Sequence, residues 1–186
     1  MIMTNIKMIL VAVFIIVLTA FAYAQDQDSV SFPIDDDTKM ITYQEVVQAE
    51  GAANELFFRA VTWMNDYWDN PRGIIEKQDR MNGVLIARPR FDIKKEKQEG
   101  LKIQSGRMAY ILKMEFKDGR YRYTISDIKL LKTSPFLLER WINPESRYYD
   151  QRDPEKMRII AIEIQQVIDS MKKGMQKEEE KSDDDW

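Results

Sequence analysis

Three adjacent carboxylates, Asp35-Asp36-Asp37, form the tightest acidic cluster in the foldable part of the chain. Carboxylate oxygens are what calcium prefers as ligands, and paired carboxylates are the acid and base of glycoside hydrolysis. Carboxylates come first because the 186-residue chain has no histidine and no cysteine. A Ser-His-Asp triad, a thiol nucleophile and a zinc site built on His or Cys are therefore ruled out. What remains is carboxylate, lysine, tyrosine or hydroxyl chemistry, or binding without chemistry. The spacing fits no EF-hand loop, and neighbouring aspartates cannot all aim at one ion without a special turn. The cluster therefore reads as a solvated linker; a calcium-binding module or a carboxylate-dependent hydrolase is the alternative. No catalytic residue, metal ligand or cofactor is expected.

Two further groups could bind. The connection 132–152 (KTSPFLLERWINPESRYYDQR) is long for a loop and unusually apolar. Its rings Phe136, Trp141, Tyr148 and Tyr149 could form a contact patch, since Trp and Tyr dominate interface hot spots. They could equally cap the open end of the core. A second set, Arg88, Arg90 and Arg122, joined by Lys113 and Arg120, could make a sheet face basic enough for an anionic ligand. The simpler reading of that face is a solvated surface with Arg122 already paired to Glu115.

Charge and composition narrow the partners. With 28 basic and 31 acidic residues the net charge is −3. A balanced surface lacks the Lys/Arg excess that supplies most non-specific nucleic-acid affinity, so no nucleic acid is expected. Lys7, the apolar run Met8–Phe21, small residues at Ala22 and Ala24, and an abrupt polar change at Gln25 have the layout of a secretory signal peptide. The expectation is cleavage after residue 24 and export to the periplasm or beyond, with no membrane span left. An uncleaved anchor is the alternative. Partners would then be a protein, peptide or glycan of the cell envelope.

These groups need elements to hold them. Ile41–Glu50 is rich in β-formers and reads as a first strand after an extended linker, 25–40. Asn54–Trp68 repeats Leu56, Ala60, Trp63, Met64 and Tyr67 at helical spacing, on a stripe broad enough to press against a sheet. Gly73–Gln78 and Val84–Ile93 are strand candidates around a turn at Arg80–Gly83. Pro89 cannot donate to a ladder, so the second of these is expected at an edge or bulged. Lys94–Gly100 reads as a charged loop.

Arg107–Lys117 and Arg120–Lys132 flank Asp118-Gly119, a strong hairpin signal read as a type I′ turn with positive φ at both central residues. A two-residue loop sets Lys117 opposite Arg120, Phe116 opposite Tyr121, Met114 opposite Tyr123 and Leu112 opposite Ile125. Those residues then share a core face, while Lys113, Glu115, Arg122 and Thr124 face water. The alternation slips after Ser126, which predicts a bulge near Asp127. Asp153-Pro154-Glu155 is a helix start, followed by Met157, Ile160, Ile164, Val167, Ile168 and Met171 at helical spacing. The domain is expected to span 41–171, with 172–186 a disordered acidic tail.

The order predicts an α+β two-layer sandwich: about five antiparallel strands with two helices on one face. Ile41–Val47 (ITYQEVV), Glu55–Ala60 (ELFFRA) with Trp63, and Lys117–Tyr123 (KDGRYRY) resemble a family of exported bacterial domains of unknown function with a TBP-like fold. The resemblance spans roughly Ser31 to Asp127 and implies β-α-β4-α order. It carries over no activity and no functional residue. The fold's namesake binds DNA, but a fold does not carry a function, and the charge balance and the export signal both speak against DNA. The sequence thus points to an exported, non-catalytic binding or structural module.

Overall fold

The computed structural model describes residues 30–96 and 100–176. The expected signal segment 1–24, the start of the linker, the middle of the 94–100 loop and residues 177–186 of the acidic tail lie outside the described residues. The chain divides into two units, Met1–Ser31 and Phe32–Trp186; all elements below belong to the second.

The elements alternate as the hydrophobic pattern requires. Strand β1 (Tyr43–Gln48) leads into helix α1 (Ala53–Tyr67). Strands β2 (Ile75–Asp79), β3 (Val84–Ala87), β4 (Arg90–Glu96), β5 (Lys102–Lys117) and β6 (Arg120–Leu130) follow. A two-residue strand β7 (Phe136–Leu137) and a one-turn helix α2 (Glu139–Ile142) precede the final helix α3 (Pro154–Gly174). The described strands form one antiparallel sheet in the order β1-β6-β5-β3-β2, with β4 also paired to β5 and β7 to β6. Helices α1 and α3 cover one face, making an α+β two-layer sandwich.

The β5–β6 hairpin sets the frame. Lys117 pairs with Arg120, Phe116 with Tyr121, Met114 with Tyr123 and Leu112 with Ile125. The six apolar members of those pairs are buried under the helices together with Leu56, Trp63, Ile160 and Ile164. No charged or polar residue is buried among the described residues. The turn differs from a type I′ turn, because Gly119 has φ 73° while Asp118 keeps a negative φ. Tertiary contacts hold it: Asp118 Oδ1 accepts from Ala53 N at 2.8 Å, satisfying a free N–H at the start of α1. Gly119 N donates to Gly51 O at 2.9 Å.

At Asp127 the strand advances three residues (Ser126 to Lys129) while β5 advances two (Ile111 to Ala109). Asp127 takes φ 53°, a left-handed conformation that Asp tolerates better than most residues. Beyond it, Ile128 and Leu130 return to the covered face.

Four further expectations need correction. The single strand read over Val84–Ile93 is two strands, broken at Arg88-Pro89, where Arg88 N turns to Ile74 O at 2.7 Å and Pro89 O accepts from Tyr110 N. With β4 and β7, the sheet thus has seven strands rather than about five. The charged stretch from Lys94 is strand as far as Glu96, paired with Lys102–Gln104 in an extension of β5. Finally, residues 172–176 belong to the fold. Helix α3 runs to Gly174, Met175 is 1% exposed, and Arg59 Nη1 donates to both Glu50 O (2.7 Å) and Met175 O (3.4 Å). The linker also enters the fold from Phe32, which is buried, and Ile34 bridges Ile41.

Candidate functional site

Asp35 is occupied locally. Its Oδ1 accepts from Thr38 N at 2.8 Å and Thr38 Oγ1 at 2.7 Å, and the backbone bond from Thr38 holds its carboxyl below the usual range. Asp36 and Asp37 are exposed on the same turn. No three acidic, His or Cys side chains gather at metal-binding distance among the described residues.

The aromatic connection folds back on the sheet. Phe136 pairs with Leu130, and Leu138 N donates to Ile128 O at 3.0 Å. Phe136 and Trp141 are buried, their rings 5.4 Å apart, with Tyr148 edge-on to Phe136 at 5.2 Å. Arg140 lies over both Phe136 and Tyr148. Tyr149 stands apart, half-buried, under the Arg152 guanidinium at 4.0 Å. Three of the four rings therefore form one cluster closing the end of the core. Glu139 fastens it, its Oε1 accepting from Ile41 N at 2.9 Å. Its Oε2 is buried without a partner among the described residues.

The sheet face away from the helices carries the remaining candidates. Register places Lys113, Glu115, Lys117, Arg120 and Arg122 there with Val46, Val84, Ile86 and Lys77. Arg122 bonds Glu115 at 2.6 Å, and Lys113 reaches the other oxygen at 3.0 Å. Partial burial would raise the Glu115 carboxyl, but these two cations hold it below its ordinary value. Arg88 bonds Glu76 at 2.6 Å and Asp127 at 3.3 Å, and Lys129 also reaches Asp127. Arg107 bonds Asp92 at 2.6 Å. Asp79 accepts from Asn82 and lies 3.1 Å from Lys77, which lowers its carboxyl to about 2.

Each of these carboxylates thus has a cation. Of the three arginines singled out from the sequence, Arg88 and Arg122 are engaged in ion pairs. Arg90, across from Ala109 in the register, has no carboxylate partner among the described residues. Ala109 is 1% exposed although it faces away from the helices, because Arg90 and Lys129 flank it on the neighbouring strands.

At the hairpin end the face dips into a cleft of about 420 Å³ lined by Val46, Val84, Glu115, Lys117, Arg120 and Arg122. Lys117 and Arg120 stand at its rim with no carboxylate partner among the described residues. The floor comes from the turn at Asn82-Gly83, where Gly83 O accepts from Phe116 N at 2.9 Å. Sequence reasoning placed the cations on the hairpin. It did not show the apolar walls Val46 and Val84, which lie on strands distant in the chain. On the covered side a second cleft of about 370 Å³ opens between β1 and the end of α3, lined by Val47, Gln48, Tyr121, Lys172 and Met175 among others. Above it Glu45 Oε2 accepts from Tyr123 OH (2.9 Å) and Lys172 Nζ (2.6 Å). The Tyr121 hydroxyl has no partner among the described residues.

No helix among the described residues is long and apolar enough to cross a membrane. No curated protein matches the chain. Its fold is similar to that of two crystal structures. One is a DUF4468 family protein from Bacteroides ovatus, at 13% identity and TM-score 0.60, covering 77% of this chain and 90% of that one. The other is a TBP-like protein from Parabacteroides distasonis, at 13% identity and TM-score 0.59, covering 77% and 96%. Residues 43–130, from the first residue of β1 to the last of β6, match the model of a single family. Over that span the chain matches the family described as a domain of unknown function (DUF4468) with TBP-like fold.

Proposed function

We propose that this protein is an exported, non-catalytic binding module of the cell envelope, and that its uncovered sheet face takes an anionic glycan. One observation carries the reading. The carboxylates beside the cleft, Glu115 and Asp79, are neutralised by cations of the same face, and Lys117, Arg120 and Arg90 are left with no carboxylate partner among the described residues. Two of the three line the rim of the cleft. Apolar Val46 and Val84 beside them suit the C–H faces of sugar rings, and the cations suit uronate or other acidic substituents. The buried rings Phe136 and Trp141 support a structural role for the aromatic connection, of which Tyr148 and Tyr149 are half-buried. Export follows from the leading segment, and a mature N-terminus at Gln25 is the expected result of sequencing the secreted protein.

Calorimetric titration with polygalacturonate tests the binding. Affinity should fall as salt rises, because exposed charges are screened beyond about 8–10 Å at physiological ionic strength. Lys117→Ala/Arg120→Ala should weaken it about tenfold, since exposed charge pairs contribute roughly 0.2–1 kcal/mol each. Absence of binding to acidic glycans removes the reading. Binding that survives the double substitution moves the site off this cleft.

A further inference from the structure

We propose that β1 is a dimerisation edge, pairing antiparallel with β1 of a second copy about a twofold axis at Val46. This goes beyond anion binding and does not depend on it. The two edges of the sheet are built differently. β2 is bulged between Ile75 and Lys77 and carries Glu76, Lys77 and Asp79, devices that discourage strand addition. β1 has no proline, no lysine and no bulge. Its one charge, Glu45, is drawn to the covered side by Tyr123 and Lys172.

The direction of the free backbone groups follows from the ladder. Thr42 N points outward, donating to Pro33 O, and Ala49 N points inward to Gly119 O. Peptide groups alternate sides along an antiparallel strand. Gln44, Val46 and Gln48 therefore present their N–H and C=O groups outward, where no described strand pairs with them. The segment ending at Pro33 closes the edge upstream of this window, and the Glu50-Gly51 turn ends it downstream.

The sequence of this window selects its own register. A twofold axis perpendicular to the sheet keeps the helix-covered faces on one side and must oppose outward-pointing residues. Centred on Glu45, it sets two carboxylates directly against each other and calls on Thr42, which is already bonded. Centred on Val47, it calls on Glu50, which has left the strand. Centred on Val46, it pairs Gln44 with Gln48 of the partner in both directions and Val46 with Val46. All three outward residues are then used and Glu45 lies opposite Val47. Val46, 52% exposed in the single chain, gains a neighbour across the axis and keeps its outer side toward the cleft. A ladder this short lies below the area of standard stable interfaces, about 1,200–2,000 Å², so the dimer is weak and concentration-dependent.

The test uses the absence of native cysteine. Opposed residues in such a pair have Cα atoms about 5.5 Å apart, within the roughly 4.4–6.8 Å that a disulfide spans. Val46→Cys should cross-link under mild oxidation at least about tenfold faster than Gln48→Cys, whose thiol would oppose Gln44. In the native chain, sedimentation equilibrium should show self-association, and the amides of Gln44, Val46 and Gln48 should gain exchange protection as concentration rises. Val46→Lys should raise the dissociation constant about tenfold or more, as like charges meet at the axis, with little change in the melting of the monomer. A chain that stays monomeric overturns the proposal. So does protection that ignores concentration, which would mean that the chain covers its own edge, and so does cross-linking no faster at residue 46 than at residue 48.

Discussion

Leu112 and Lys113 are neighbours in the chain and lie on opposite faces of the sheet. The same holds for Met114 and Glu115, and for Tyr121 and Arg122. On the covered face every member of these pairs is buried against α1 or α3, and position is decided by shape. On the open face the members are half-exposed, held by ion pairs that can break and reform in water. One strand pair therefore supplies the stability of the domain from one side and its available recognition surface from the other. Substitutions should separate these roles cleanly.

The largest effect belongs to the covered face. Leu112→Ala should cost about 2–5 kcal/mol in denaturant unfolding with the slope unchanged. A loss below about 1 kcal/mol would mean that the helices do not seal this side. Next comes the contact that locks α3 over α1. A Cβ at Gly174 would lie 2.7 Å from Trp63 Cδ1 and 3.0 Å from Trp63 Cβ, so Gly174→Ala should cost about 1–3 kcal/mol through overpacking. Melting the variant beside Trp63→Phe/Gly174→Ala checks it, because the smaller ring should restore part of the loss.

High pH probes the same layer. Burial pushes the Tyr43 and Tyr121 hydroxyls from 10.0 up to about 12. The unfolded chain then sheds these protons first, so stability is full below pH 10 and declines as pH rises toward 12. Thermal melts across that range should show the fall. Tyr121→Phe should make it shallower. By removing a buried hydroxyl without a partner among the described residues, it should also leave neutral-pH stability unchanged or slightly raised. The open face should respond least. Arg122→Ala should cost roughly 0.2–1 kcal/mol, and the cost should shrink at high salt. A larger loss would show that the ion pairs hold the sheet together and would erase the contrast between the faces.

What was legible in the sequence follows the same division. Hairpin register, the Glu115–Arg122 pair, the slip at Asp127 and the Asp153 helix start could be read because each has a local cause: alternation, turn length or capping. Asp153 does accept from Lys156 N at 3.1 Å. The extension of β4 and β5 over Lys94–Glu96 and Lys102–Gly106 could not be read so, because most of its side chains are exposed and no apolar alternation marks it. Lys95 there bonds Asp153 and Glu155 across the domain at 2.8 Å each, a contact that local pattern does not encode. The cleft was hidden for a similar reason. Its cations come from one hairpin, but Val46 and Val84 reach it only through pairings between strands far apart in the chain.

The extra residue at Asp127 is a spacer that the downstream register does not need. Ser126 and Lys129, three apart, both face away from the helices, while Ile128 and Leu130 face them. Removing Asp127 would leave Ser126, Ile128, Lys129 and Leu130 in plain alternation, each side chain on its present face and Phe136 still seated beside Leu130. What would go is the carboxylate that gathers Arg88 and Lys129, so a missing codon here straightens the ladder and costs an ion cluster rather than a core.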